Sequence, residues 1–255
     1  MGFRCPRSPA RRTDAPCAHA FPGLCDAASL RPQLHGGALW RTAADLHRRM
    51  PTMTRASLAA GILVLLAAWL LAAGGERSFA VHMVAHMAVV AIAAPLTAIG
   101  LHGTRLDFFP ALTWITPLTA SFIELIAVWF WHLPQIRLLA DQSPVAANLE
   151  QATFLAAGLL LWLSCLSASR LAGAGGLLFT SMHMTLLGVL LAMSPRPLYA
   201  TGQVICFSVP ISAAVDQQVG GVAMLLVGAI SYLAGGVALL YRLLADSNET
   251  GEQAG

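Results

Sequence analysis

Six apolar runs dominate this chain, and each is near the ~20 residues that a helix needs to cross a bilayer. They are Ala56–Ala73, Phe79–Leu101, Phe109–Trp131, Val145–Ser167, Leu171–Met193 and Val219–Tyr241. Backbone polar groups inside hydrocarbon must be paired within the protein. Six such runs therefore point to an all-α, polytopic membrane bundle of about six transmembrane helices. Composition agrees: 11% of residues are charged, where a soluble domain carries about 25%. The lipid bilayer is thus the first partner of the body, residues 53–244.

The flanks read differently. Residues 1–52 are rich in Arg, Pro, Ala and Gly and lack a helical period. They read as a disordered tail or as an untranslated upstream region, with Met50 or Met53 as a natural start. The first apolar run also fits a cleaved signal, because its core is short and small residues follow. The long upstream tail favours a retained anchor. Residues 245–255 read as a disordered acidic tail.

Several function classes lack support. No basic, aromatic-interleaved patch suggests nucleic acid. The five cysteines form no CxxC pair, and the irregular spacing of Cys5, Cys17, His19 and Cys25 gives a metal site there little support. No GxSxG, HExxH or P-loop occurs, so the chain does not read as an enzyme.

Loop charge sets an expected orientation. With the N-terminus cytoplasmic, Arg48, Arg49, Arg55, Arg105, Arg170 and Arg242 fall inside, and Arg77, Arg137 and Arg196 outside. Six against three favours cytoplasmic N- and C-termini in a bacterial inner membrane. The segment from Ser194 to Gln218 then crosses the outer mouth as an interfacial or re-entrant piece.

The polar residues of the body gather at one depth. In the second run, His82 stacks over His86 and Met83 over Met87, as i and i+4 do on a helix. At 1.5 Å per residue, His82 lies about 5 Å and His86 about 10 Å from the outer end. His132 ends the third run, with Glu124 about 12 Å below it, and Glu150 lies about 8 Å into the fourth. His183, flanked by Met182 and Met184, lies about 15 Å from the end of the fifth. Asp216 and Gln217 precede the sixth run, where Asp suits helix capping and the following glycines suit close packing. Imidazole and thioether groups make a soft, neutral ligand set, and such a set without thiolates suits Cu(I). The expected metal residues are His82, Met83, His86, Met87, His132, Met182, His183 and Met184. Glu124, Glu150, Asp216 and Gln217 are expected around them.

The order of motifs resembles one family. HMVAHMAVVAIAAPLTAIG, WHLPQIRLLA, NLEQATFLAAGLLLW, SPRPLYA and DQQVGGVAMLLVGAISYL are similar to successive segments of the CtaG-type cytochrome c oxidase assembly factors, multi-pass proteins associated with caa-type oxidases. The resemblance covers roughly residues 79–244. It implies a copper-supplying role toward cytochrome c oxidase subunits, and a site fed from the outer compartment adds a periplasmic copper carrier as an expected partner. Ala147 and Gln151 stand where that family shows histidines, so two potential ligands are missing. Two other readings stay open: a b-type haem protein using His82 or His86 with His183, and a metal-free assembly scaffold.

Overall fold

The computed structural model describes residues 36–74, 78–104, 107 and 114–252, the two outer helix ends by backbone alone. The chain divides into two units, Met1–Leu46 and His47–Gly255. Of the first, only helical backbone from Gly36 is described. Residues 1–35, Arg77 and Arg105 lie outside the described residues. The second unit is a helical membrane bundle.

Its elements run α1 (Gly36–Ala73), α2 (Phe79–Met87), a π-turn (Ala88–Ala93), α3 (Ala94–Leu101), α4 (Pro117–Trp131), α5 (Pro134–Gln142), α6 (Pro144–Ser167) and α7 (Arg170–Ala192). A hairpin of β1 (Gln203–Cys206) and β2 (Val209–Ser212) then leads into α8 (Ala213–Glu252). Among the described residues, five helical segments are long and apolar enough to cross a membrane, or six if the bent pair α4–α5 counts as one span.

Short polar residues set the helix starts. Ser78, Thr116, Ser143 and Ser169 each accept the backbone N–H three residues on. Each such cap contributes about 1 kcal/mol. At Thr116–Pro117 and Ser143–Pro144 a proline follows the cap, where its missing N–H costs nothing. This corrects the third span. Helix α4 starts at Pro117, because Thr116 is extended and caps the helix there, and Phe109 lies outside the described residues. The 15 residues of α4 cover about 22 Å, short of a ~30 Å hydrocarbon core. Pro134 then forces Leu133 out of the helical region, to ψ 132°, and α5 leaves at 73° to α4.

The second span is also interrupted. Pro95 has no N–H, so the carbonyl of Ala91 loses its α-helical donor. The backbone widens into a π-turn, in which Ala94 N–H reaches Val89 O. Helix α8 repairs the defect: Ser231 Oγ donates to Ala91 O at 2.6 Å, and the Tyr232 hydroxyl lies 3.5 Å from Val90 O.

Helices α7 and α8 meet closely through glycine. A Cβ on Gly221 would lie 2.6 Å from the backbone nitrogen of Ala192, and one on Gly188 would lie 2.9 Å from Gly221 O. The core around this crossing includes Met83, Met87, Phe154, Leu161, Leu177, Met184, Met224 and Tyr232.

The segment from Ser194 to Gln218 is not one loop. Its apolar piece forms the antiparallel hairpin, with Val204 opposite Ile211 and Ile205 opposite Pro210. Phe207 and Ser208 make its tight turn with positive φ of 47° and 67°. Cys206 packs on Ala80 and Val81 at the start of α2. Helix α8 begins at Ala213, so Asp216 and Gln217 sit in its first turn and do not precede it.

Candidate metal centre

Helix α2 presents His82 and His86 one turn apart, and α6 presents Glu150 to both. His82 Nε2 lies 3.3 Å and His86 Nε2 3.2 Å from the same Glu150 Oε1. The two Nε2 atoms also contact each other. Among the described residues, this is the one group of three His, Cys, Asp or Glu side chains whose ligand atoms all fall within 4.8 Å of one another. A cation placed among the three could draw on all of them at once. His86 and Glu150 are 1% exposed and His82 is 12%, so His82 is the most accessible member of the group.

The outer partners fix which atoms can bind. Gln151 Oε1 stands 3.3 Å from His86 Nδ1, and an acceptor there favours the tautomer that carries the proton on Nδ1 and leaves the Nε2 lone pair for a cation. A carbonyl behind a histidine in this way is the usual support of a metal ligand. His132 shows the same arrangement. Its Nδ1 donates to Val128 O at 2.6 Å, and its Nε2 faces Met83 Sδ at 3.4 Å. A thioether has no proton to offer, so two lone pairs face each other there. A soft cation could bind between them. The Phe154 ring lies beside both His86 and His132, with centroids at 4.5 and 6.4 Å.

Charge is balanced on the far side of Glu150. Arg137 of α5 is 8% exposed, and its Nη1 lies 3.6 Å from Glu150 Oε2 while Nη2 holds Asp141 at 2.6 Å. The bend at Pro134 brings this guanidinium back over α6. Tyr199 closes the same end: it donates to His132 O at 2.8 Å and stacks on Phe79 at 4.4 Å. Burial pushes its phenol up to about 12, so it remains a donor.

The other expected residues lie elsewhere. Met87 and Met184 are buried in the core, both beside Gly228. Met182 is 62% exposed and points away from the bundle. His183 is buried, meets the Phe179 ring edge-on at 5.8 Å, and neither ring nitrogen has a hydrogen-bond partner among the described residues. Glu124 belongs to a separate group with Tyr232. Asp216 caps a helix, but the helix is α2: it accepts Ser78 Oγ at 2.6 Å, Phe79 N–H at 2.6 Å and Ala80 N–H at 3.1 Å. Gln217 accepts Leu198 N–H and donates to Leu191 O, tying the end of α7 to α8. Gln151 was legible only as a lost histidine. Its place beside Glu150, one position along α6, was the available signal of its supporting role.

A family model described as cytochrome c oxidase caa3 assembly factor (Caa3_CtaG) matches residues 34–246. No curated protein and no solved structure matches the chain. With the family model covering nearly the whole of the membrane bundle, the chain belongs to the Caa3_CtaG family of cytochrome c oxidase assembly factors.

Proposed function

We propose that this assembly factor binds Cu(I) at His82, His86 and Glu150 and hands it to a subunit of cytochrome c oxidase. Met83 and His132 form the soft flank of the site. The observation that carries this reading is the convergence of two imidazole Nε2 atoms on one buried carboxylate oxygen, with His86 oriented from behind by Gln151. The neutral nitrogen and thioether donors suit Cu(I), and the single carboxylate offsets its charge. The absence of thiolates leaves the ion exchangeable, as a cargo must be. In this reading the site faces the outer side of a bacterial inner membrane, both termini are cytoplasmic, and a periplasmic carrier delivers the ion past His82. The protein transfers metal and does not turn over a substrate.

Ala147 and Gln151 leave α6 with Glu150 alone as a ligand, so α2 supplies most of the binding. Haem is a weaker fit. His82 and His86 approach the same oxygen from one helix, and His183 makes no polar contact with that group.

Metal content of the full-length protein, purified under reducing conditions, tests the proposal. Wild type should hold about one copper per chain after equilibration with Cu(I), and His82→Ala/His86→Ala should hold none. Equal copper in both proteins, or none in either, overturns it. A Soret band in the wild type would favour haem instead.

A further inference from the structure

Another buried carboxyl lies in the bundle, apart from the group of His82, His86 and Glu150. Glu124 of α4 is fully buried, with 0% exposure. Its Oε1 accepts the Tyr232 hydroxyl at 2.6 Å, and its Oε2 has no hydrogen-bond partner among the described residues. Every neighbouring element brings a neutral group. Tyr232 comes from α8, with Trp162 of α6 stacked on it at 5.9 Å. The hydroxyls of Ser121 on α4 and Thr180 on α7 pair at 2.5 Å, and the Thr180 hydroxyl also interacts with the Glu124 carboxyl. Cys165 of α6 is the nearby thiol, and His183 lies one turn beyond Thr180 on α7. No Arg or His comes within 4.0 Å of Glu124 among the described residues. Glu150, by contrast, has Arg137, His82 and His86 around it. An uncompensated carboxylate in hydrocarbon is costly enough that the group takes up a proton instead.

Tyr232 makes this matter for the neighbouring helix. It has one hydroxyl proton and two acceptors within reach, Glu124 Oε1 at 2.6 Å and Val90 O at 3.5 Å. It can serve only one at full strength. When Glu124 carries a proton on Oε1, it donates to the Tyr232 oxygen, and the tyrosine hydroxyl turns to Val90 O. When that proton leaves to solvent, the tyrosine must donate to the carboxylate, and Val90 O loses its donor. Val90 lies in the π-turn that follows Met87, on the same span as His82 and His86.

We propose that Glu124 and Tyr232 form a proton-binding site in the bundle core, occupied at neutral pH, which reports its protonation to the π-turn through the single Tyr232 hydroxyl. The site rests on its own geometry and does not depend on copper binding.

Infrared spectroscopy of the purified full-length protein in lipid nanodiscs reads the proton directly. Wild type at neutral pH should show a protonated-carboxyl C=O band that shifts on [13C]glutamate labelling and disappears as pH is raised. The band should be absent from Glu124→Gln, persist in Glu150→Gln, and move to higher frequency in Tyr232→Phe. Amide exchange of residues 88–96, corrected for intrinsic rates, should change across the same titration in wild type and not in Tyr232→Phe. The absence of a label-sensitive acid band in wild type overturns the proposal, whether or not the variants fold. So does a band that survives Glu124→Gln. Exchange that does not follow the titration overturns the link to the π-turn.

Discussion

Asp216 offers the sharpest energetic test of the fold around the site. Its two oxygens take three buried donors from the start of α2: Ser78 Oγ at 2.6 Å, Phe79 N–H at 2.6 Å and Ala80 N–H at 3.1 Å. The residue is 1% exposed, so no water replaces a lost partner. A hydrogen bond to a charged group contributes about 1.5–3 kcal/mol net, and an orphaned buried donor costs about 1–3 kcal/mol. Asp216→Ala orphans all three donors and should cost about 4–6 kcal/mol, since bonds sharing one acceptor do not add fully. Asp216→Asn keeps one oxygen. Its better placement retains Ser78 and Ala80 and sets the amide nitrogen against Phe79 N–H. The expected cost is about 2–4 kcal/mol, including the lost charge at a helix N-terminus. Reversible unfolding in mixed detergent micelles, followed by tryptophan fluorescence, measures both. A cycle with Ser78→Ala should give a coupling of about 1–2 kcal/mol. Because α2 carries His82 and His86, both variants should also bind copper more weakly. Asp216→Ala within about 0.5 kcal/mol of wild type, or Asn as costly as Ala, would refute the capping account.

Three further outcomes follow from particular contacts. Gln151→Leu removes the acceptor behind His86 Nδ1 and should weaken metal affinity about 10–100-fold while sparing the fold, measured by competition with a Cu(I) chelator. Met83→Leu conserves volume and should weaken Cu(I) more than Zn(II), because only the softer ion draws on the thioether facing His132; equal loss for both metals contradicts that role. Gly221→Val places a side chain on the backbone of Ala192 and should cost about 3 kcal/mol or more, read as a lowered unfolding midpoint.

Much of the architecture was legible because lipid is a demanding solvent. The apolar runs at Phe79, Val145 and Leu171 match helical spans nearly residue for residue, since a bilayer sets both their length and their ends. The third run misled because apolar content alone does not show where a helix starts. Thr116–Pro117 carries that signal, and Pro134 carries the bend. The histidine pair was visible as an i, i+4 repeat. Its carboxylate partner was visible only as one polar residue among several at similar depth. Depth along a helix is readable from numbering; the direction in which a side chain leaves the axis relative to another helix is not. Met182 and Met184 make the point, since they flank His183 yet one is exposed and the other fully buried.

The amino-acid sequence by itself determined that this chain is a membrane bundle, which helix carries the soft ligands, and which family it resembles. Those properties follow from composition, from local spacing and from motif order. Tertiary structure alone decided that Glu150 and not Glu124 meets the histidines, that Gln151 orients one of them, and that Asp216 caps a helix far from it in sequence. Such choices depend on how helices rotate and cross. Close approach at Gly188 and Gly221, the bend at Pro134 and the π-turn before Pro95 set those rotations together.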